Sequence, residues 1–128
     1  MGSRLLKTLA TELQYALEVF QEACQLYERV GYHDFEGIVL DASEKKRLIK
    51  SLGKSNHTLV LRNHGLITAG PSAIWAFIRH QVFIRNAEIQ LRAMSSGGKI
   101  IKIPKKIKFL EISIVSWPFL SGLTNHLF

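Results

Sequence analysis

The residue best suited to chemistry in this sequence is His64, which interrupts the apolar run TLVLRNHGLITAG at residues 58–70. A histidine at the end of a strand can ligate a metal ion or transfer a proton, and α/β folds commonly place their sites there. The alternative is structural: Asn63 and Gly65 form a tight turn, and the imidazole is hydrogen-bonded within it. For an isolated histidine, the residues alone favour the structural interpretation.

The other histidines add little to a metal site at His64. Zinc needs three or four donors, commonly with two of them close in sequence, and no HxH, HxxxH or CxxC pattern occurs. His57 begins the same predicted strand, and at about 3.3 Å per residue it lies too far along that strand to share an ion. His80 and His126 stand apart in the sequence. Only His33, in YHDFEG, is kept as a second candidate ligand.

The remaining chemical candidates have simpler structural explanations. Ser72 is placed to cap a helix, and no GxSxG motif accompanies it. Cys24 lies on the apolar side of the first predicted helix, where a core position is expected. Asp34 and Glu36 are expected to share one face of an extended segment and to form ion pairs with nearby basic side chains.

Hydrophobic spacing predicts the elements that position these residues. Apolar residues recur every three or four positions in the first part of the chain, so residues 1–30 are predicted to contain an amphipathic helix. A glycine-bounded extended stretch, VGYHDFEGIVLD, is predicted next. A short helix follows, capped by Asp41 and stopped by Gly53. Two short strands flank His64, and a long helix is predicted for residues 73–94. This order indicates an α/β or α+β layer structure.

After Gly98 the character of the sequence changes to a tail, residues 99–128, that is first basic and then apolar. Its residue types lean towards β structure, but Pro104 and Pro118 break the pattern. Its lysines could bind nucleic acid or an anionic surface. An edge guarded by lysines is favoured instead, because no aromatic stacking set accompanies them. The lysines are Lys99, Lys102, Lys105, Lys106 and Lys108.

Composition sets the broad class of the protein. The 128 residues suit one domain, and the net charge of +7 comes largely from the tail lysines. A single cysteine excludes an internal disulfide and favours a reducing, cytoplasmic location. No signal-peptide pattern opens the sequence, and no apolar run approaches the ~20 residues of a membrane span.

Three blocks of sequence resemble one known family, the class II aldolase/adducin family (its N-terminal or head domain). GYHDFEGIVLD, LGKSNHTLVLRNHGLITAG and a long helix ending in AEIQLRAM occur in this order between residues 31 and 94. The resemblance implies an α/β fold with a central sheet between two layers of helices, here a truncated three-layer α/β/α sheet. Residues 31–98 are therefore assigned to a class II aldolase/adducin-like segment.

The resemblance also implies one site residue. In the family's enzymes, which are metal-dependent sugar-phosphate aldolases and epimerases, a zinc-type divalent ion is held by an HxH pair and by the histidine of an NHG turn. Only His64 matches this set, as the third metal histidine. The HxH pair and the acid/base glutamate have no counterpart before Gly31, so no catalytic residue is assigned. A lone imidazole is not expected to bind zinc stably.

Three functional hypotheses follow. The favoured one is a truncated, catalytically inactive domain that acts by association, as a homo-oligomer or with a protein partner, as the adducin head domain does. The second is a metal-dependent sugar-phosphate lyase whose site is completed by a partner chain or by His33. The third is binding of an anionic surface or nucleic acid through residues 99–108, with nucleic acid disfavoured.

Overall fold

The computed structural model describes residues 16–37 and 43–116 of the chain. We number its strands β1 to β3 and its α-helices α1 to α3 in chain order. The elements are a 3₁₀ helix (Gln21–Leu26), β1 (Val30–His33), α1 (Ser43–Leu52), β2 (Thr58–Leu61), β3 (Gly65–Thr68), α2 (Ala73–Ser95) and α3 (Lys105–Ser116). None of the described helices is both long and apolar enough to cross a membrane.

The three strands form one mixed sheet in the order β1-β2-β3. Strand β1 runs parallel to β2, and β3 returns antiparallel to it. The register aligns Tyr32, Val60 and Leu66 across one face of the sheet. Because side chains alternate along a strand, Leu59 and Ile67 lie on the opposite face.

Helices cover both faces of this sheet. On the first face, Val60 packs in a buried cluster with Phe83 and Ala87 of α2 and with Ala23 and Leu26 of the 3₁₀ helix. On the second face, α1 packs against β1 and β2. The approach there is so close that a Cβ on Gly31 would lie 2.5 Å from the Ser51 carbonyl oxygen, which requires glycine. The α/β/α layering predicted from the resemblance is therefore observed.

The predicted helix boundaries agree with the structure where they can be compared. The Ser72 hydroxyl accepts a hydrogen bond from the Trp75 amide at 3.4 Å and caps α2. Gly53 has a φ of 72° and ends α1 in the left-handed conformation, as predicted. The proposed cap Asp41 lies outside the described residues.

The prediction of an amphipathic helix before Gly31 is wrong for the residues that the structure describes. Residues 16–20 are not helical, and only the 3₁₀ helix follows. The backbone amides of this arm, residues 16–20, are used elsewhere: the Ala16 amide donates to the Tyr32 hydroxyl and the Leu17 amide to Gln90 Oε1, both at 2.8 Å. The apolar spacing nevertheless predicted burial correctly, because Phe20 and Ala23 reach the core.

The β-leaning interpretation of the tail is also wrong over residues 105–116, which form α3. Pro104 precedes the helix, and its carbonyl accepts from the amides of Ile107 and Lys108 at 3.0 and 3.1 Å. A proline at this position starts a helix without loss of an internal hydrogen bond, so the residue taken as a strand breaker is a helix-start signal. Pro118 lies outside the described residues.

The apolar stripe predicted for α2 is only partly buried. Phe83 and Ala87 are buried, but Ile74 and Phe77 are 62% and 63% exposed. Two amides, those of Asn86 and Gln90, are buried on this helix. The first turns of α2 therefore present apolar side chains to solvent, and the later turns bury polar ones.

Candidate functional site

His64 lies in the tight turn that joins β2 to β3. Leu61 pairs with Gly65 across the turn, and the His64 amide donates to the Leu61 carbonyl at 3.0 Å. Asn63 has a φ of 57°, a left-handed conformation that asparagine tolerates better than most residues. The apolar run stops at these residues because the chain reverses there, so the predicted turn is present.

The His64 side chain is exposed at the tip of this turn. Its ring lies edge-on to Phe35, with the two ring centroids 6.4 Å apart. Phe35 is itself 56% exposed, so the pair forms a small aromatic surface at the end of β1 and β2. Within the described ranges no hydrogen bond fixes the His64 imidazole, so the hydrogen bond that the structural interpretation expected within the turn is not found there.

His33, the second candidate ligand, is engaged with its own neighbours. Its Nδ1 lies 2.8 Å from Ser51 Oγ on α1, and its Nε2 lies 3.6 Å from a carboxylate oxygen of Glu36. Glu36 in turn pairs with Arg47 at 2.7 Å. These contacts join the end of β1 to α1, and they give His33 a structural role at the edge of the sheet.

The ion pairs predicted for Asp34 and Glu36 are present. Asp34 contacts Arg62 Nε at 3.1 Å, and the Arg62 guanidinium lies 5.2 Å from the ring centroid of Tyr32. Glu36 binds Arg47. Both carboxylates therefore form the arginine ion pairs expected of them.

His57 is a partly buried histidine whose contacts sequence reasoning did not predict. Burial, strengthened by the nearby Arg79 cation, lowers the pKa of His57 from 6.5 to about 4. Its Nε2 donates to the Gln25 carbonyl at 3.2 Å, and its Nδ1 lies 2.9 Å from Thr58 Oγ1. His57 is therefore a neutral link between β2 and the 3₁₀ helix.

Cys24 is a buried free thiol, as expected for a core residue. Burial and the nearby Glu111 carboxylate raise the pKa of the Cys24 thiol. A thiol held protonated in this way is a weak nucleophile, so the site argues against cysteine chemistry.

The described residues do not fit a divalent metal ion at His64. No three His, Cys, Asp or Glu side chains in the described part of the chain come close enough together to hold one. A surface cavity of about 400 Å³ lies between the 3₁₀ helix and α2, away from this turn. Its lining residues are Glu22, Gln81, Val82, Ile84, Arg85 and Glu88. Neither His64 nor His33 reaches it.

Comparison with known proteins identifies the family. The family model described as the class II aldolase and adducin N-terminal domain matches residues 3–91. The chain therefore belongs to the class II aldolase and adducin N-terminal domain family. The match begins far upstream of residue 31, where the three sequence blocks start, so it also includes the arm and the 3₁₀ helix.

Both branches of the family appear among the relatives. A protein of Pseudomonas aeruginosa whose name assigns it to aldolase class 2 is 36% identical over 99 residues, which is 77% of this chain and 38% of that protein. Alpha-adducin of Rattus norvegicus is 42% identical over 82 residues, 64% of this chain and 11% of the relative. The chain thus spans well under half the length of these relatives.

Solved structures agree with this assignment. The crystal structure of an aldolase II superfamily protein from Pseudomonas syringae superposes with a TM-score of 0.78 at 29% identity, covering 95% of this chain and 50% of that one. L-fuculose 1-phosphate aldolase from Glaciozyma antarctica superposes with a TM-score of 0.68 at 20% identity, covering 85% and 40%. The second likeness is one of fold. The first covers nearly the whole chain.

Proposed function

We propose that this chain acts as an association module of the class II aldolase and adducin type and carries out no metal-dependent aldol chemistry of its own. The observation that carries the proposal is the exposed apolar start of α2. Ile74 and Phe77 are both more than 60% exposed and lie three residues apart, on one side of the helix. Large apolar side chains exposed together are typical of association surfaces.

The charge distribution favours a second copy of the chain as the partner at this surface. The chain carries a net charge of +7, so two copies repel each other unless they meet through an uncharged patch. Residues 71–78, PSAIWAFI, contain no charged side chain. Two α2 helices that cross antiparallel about a two-fold axis bring Phe77 of one copy against Ile74 of the other.

The donors near His64 support the second half of the proposal. A catalytic zinc site takes three protein ligands, and the imidazole of His64 is a single donor on an exposed turn. His33 is bound to Ser51 and lies beside Glu36. The single buried thiol of Cys24 fits the cytoplasmic location that we propose with this function.

Sedimentation velocity tests the association. The wild-type chain is expected to sediment as a dimer or larger species over a range of concentrations, and Phe77→Ser is expected to shift it to the monomer. Ile49→Ser is the matched control, because Ile49 on α1 is 59% exposed but lies on the other side of the sheet. A monomeric wild-type chain, or equal loss in both variants, contradicts the proposal.

Elemental mass spectrometry tests the catalytic half. We expect no stoichiometric zinc in the folded wild-type chain after equilibration with zinc and gel filtration. Near one zinc per chain, lost in His64→Ala, would instead support the lyase hypothesis, in which a partner chain or His33 supplies further ligands. The two experiments test the two halves of the proposal independently. A protein that self-associates but also binds zinc would therefore be recognised.

A further inference from the structure

The segment that leads into α3, together with the first half of α3, exposes lysines and large apolar side chains side by side. Within residues 99–110 the exposed lysines are Lys99, Lys102, Lys105 and Lys106. The exposed apolar residues are Ile101 (89%), Ile107 (43%), Phe109 (52%) and Leu110 (54%). We call this set the α3 surface. It is distinct from the apolar start of α2.

The contacts of α3 explain why this surface faces outward. Lys108 is buried: its Nζ lies 2.5 Å from a Glu18 carboxylate oxygen and 4.6 Å from the ring centroid of Tyr27. Phe109 packs one edge against Tyr27, at 5.3 Å between ring centroids. The inner side of α3 is therefore held by Lys108, and Ile107 and Leu110, three residues apart, share an exposed side.

The same contacts leave the α3 surface strongly positive. The charge of Lys108 is compensated by Glu18. The single acidic residue in the sequence of α3, Glu111, accepts a hydrogen bond from Gln21 Nε2 at 3.1 Å and so lies towards the 3₁₀ helix. For the four exposed lysines beside the four apolar side chains, no ion pair is found within residues 16–37 and 43–116. No acidic residue occurs in residues 99–110.

We infer that the α3 surface docks the protein on an anionic lipid membrane. Helices that lie in a membrane interface combine lysines, which meet anionic headgroups, with apolar side chains that enter the boundary of the acyl chains by about 5–10 Å. The α3 surface offers both groups within residues 99–110, on the start of α3 and the segment that leads into it. Because no described helix is long and apolar enough to span a bilayer, the inferred mode is attachment to the surface.

The other two classes of partner fit the α3 surface less well. A second copy of the chain would bring like charges together at four lysines. Nucleic acid would satisfy the lysines, but its affinity comes from phosphate contacts and base stacking. It would leave Ile101, Ile107 and Leu110 without a role, whereas a lipid surface uses them.

Vesicle co-sedimentation of the full chain tests this inference. We expect binding to vesicles of phosphatidylcholine mixed with phosphatidylserine, and little binding to phosphatidylcholine alone. At about 1 kcal/mol per lysine, neutralising two lysines in Lys105→Gln/Lys106→Gln should lower the partition coefficient roughly 30-fold. Removing the apolar insertion in Leu110→Ser should lower it roughly tenfold. Raising the salt concentration should weaken the remaining binding.

Matched controls come from α1, which packs on the opposite face of the sheet. Lys45→Gln/Lys46→Gln removes the same charge from an exposed adjacent pair, and Ile49→Ser removes an apolar side chain of similar exposure, 59%. Both should bind vesicles like wild type. Lys105→Arg/Lys106→Arg should also retain binding, because headgroup attraction needs charge rather than a particular cation. Circular dichroism of each variant establishes that it is folded.

Three outcomes would overturn the inference. Equal binding of the α1 and α3 lysine variants would mean that only net charge matters. Unchanged vesicle binding in folded Leu110→Ser, together with tight, salt-sensitive binding of a DNA oligonucleotide, would identify a polyanion site for nucleic acid. Equal binding to neutral and anionic vesicles would show that the lysines do not contribute to membrane binding.

Discussion

Two regions of this molecule differ in whether their structure is specified by residues close together in the sequence or by residues far apart. The sheet with α1 and α2, residues 30–95, is specified by local signals: a turn at Asn63, a cap at Ser72 and a stop at Gly53. The second region comprises the arm, the 3₁₀ helix and α3. It is joined by contacts between residues about 90 positions apart, such as those of Glu18 with Lys108 and Gln21 with Glu111. The comparison shows that local signals define elements, whereas the docking of the outer layer depends on contacts between distant residues: a few polar pairs together with the apolar packing of Ala23 and Leu26.

The largest expected effect tests that dependence directly. Lys108→Met keeps the length of the side chain but removes its charge and leaves Glu18 as an uncompensated, mostly buried carboxylate; the side chain of Glu18 is 13% exposed. The expected loss in the free energy of unfolding is about 3 kcal/mol, measured by urea denaturation. Hydrogen exchange should accelerate in α3 more than in α2.

The double variant Glu18→Gln/Lys108→Met completes this test. It removes both charges, so most of the lost stability should return. If the double variant is as unstable as the single one, packing of the Lys108 stem holds α3, and the ion pair does not. Lys105→Met, which changes an exposed lysine of the same helix, is the control and should be near neutral.

The sequence predicted the first region much better than the second. Sequence reasoning could predict the NHG turn, the Ser72 cap and the length of α2, because each depends on residues close together in the chain. The 3₁₀ helix and the arm were not, because the Leu17 amide is taken by Gln90 and the Ala16 amide by Tyr32. These hydrogen bonds from backbone amides to distant side chains override the local helix propensity, and no short sequence pattern predicts them.

The candidate site was predicted only in part for the same reason. The position of His64 in a turn follows from its neighbours in sequence. The contacts of the other histidines do not: Ser51 lies 18 residues from His33, and Gln25 lies 32 residues from His57. Residue type and spacing identified which histidines to examine, and tertiary packing decided what each one does.

A change of pH is expected to have an intermediate effect on the free energy of unfolding. It acts through His57, which links β2 of the first region to the 3₁₀ helix of the second. The pKa of His57 is lowered to about 4 in the folded state, against 6.5 as the ordinary value. Between these values the unfolded chain binds more protons, so the stability contributed by neutral His57 is present above pH 6.5 and is lost as the pH falls towards 4. With allowance for partial solvent access, the expected loss is about 2 kcal/mol.

Urea denaturation across this pH range measures the effect. In His57→Gln the loss between pH 6.5 and 4 should shrink, since glutamine does not titrate. His80→Gln changes a histidine for which no such buried contact is found in the described residues, and it should retain the wild-type slope. A wild-type slope that survives in His57→Gln would assign the pH dependence to other groups.

The smallest expected effect contrasts two buried amides on α2. Gln90 accepts a hydrogen bond from the Leu17 amide of the arm, whereas both polar atoms of Asn86, one turn earlier, are buried and find no hydrogen-bond partner among the residues that the structure describes. A buried amide without a partner costs free energy, and its replacement by an apolar group of the same shape removes that cost. Asn86→Leu, which keeps the branched outline, should therefore raise the free energy of unfolding by about 1 kcal/mol.

The same type of substitution at Gln90 should have the opposite sign. Gln90→Leu leaves the Leu17 amide without its acceptor and should lower the free energy of unfolding by about 1–2 kcal/mol. Thermal and urea denaturation of the two variants give the comparison. If Asn86→Leu also destabilises the fold, the Asn86 amide is satisfied in solution by water or by a ligand, and a polar site inside the α2 layer would have to be sought there. Opposite signs would instead show that, of the two buried amides of α2, only Gln90 holds the arm, through its hydrogen bond with the Leu17 amide.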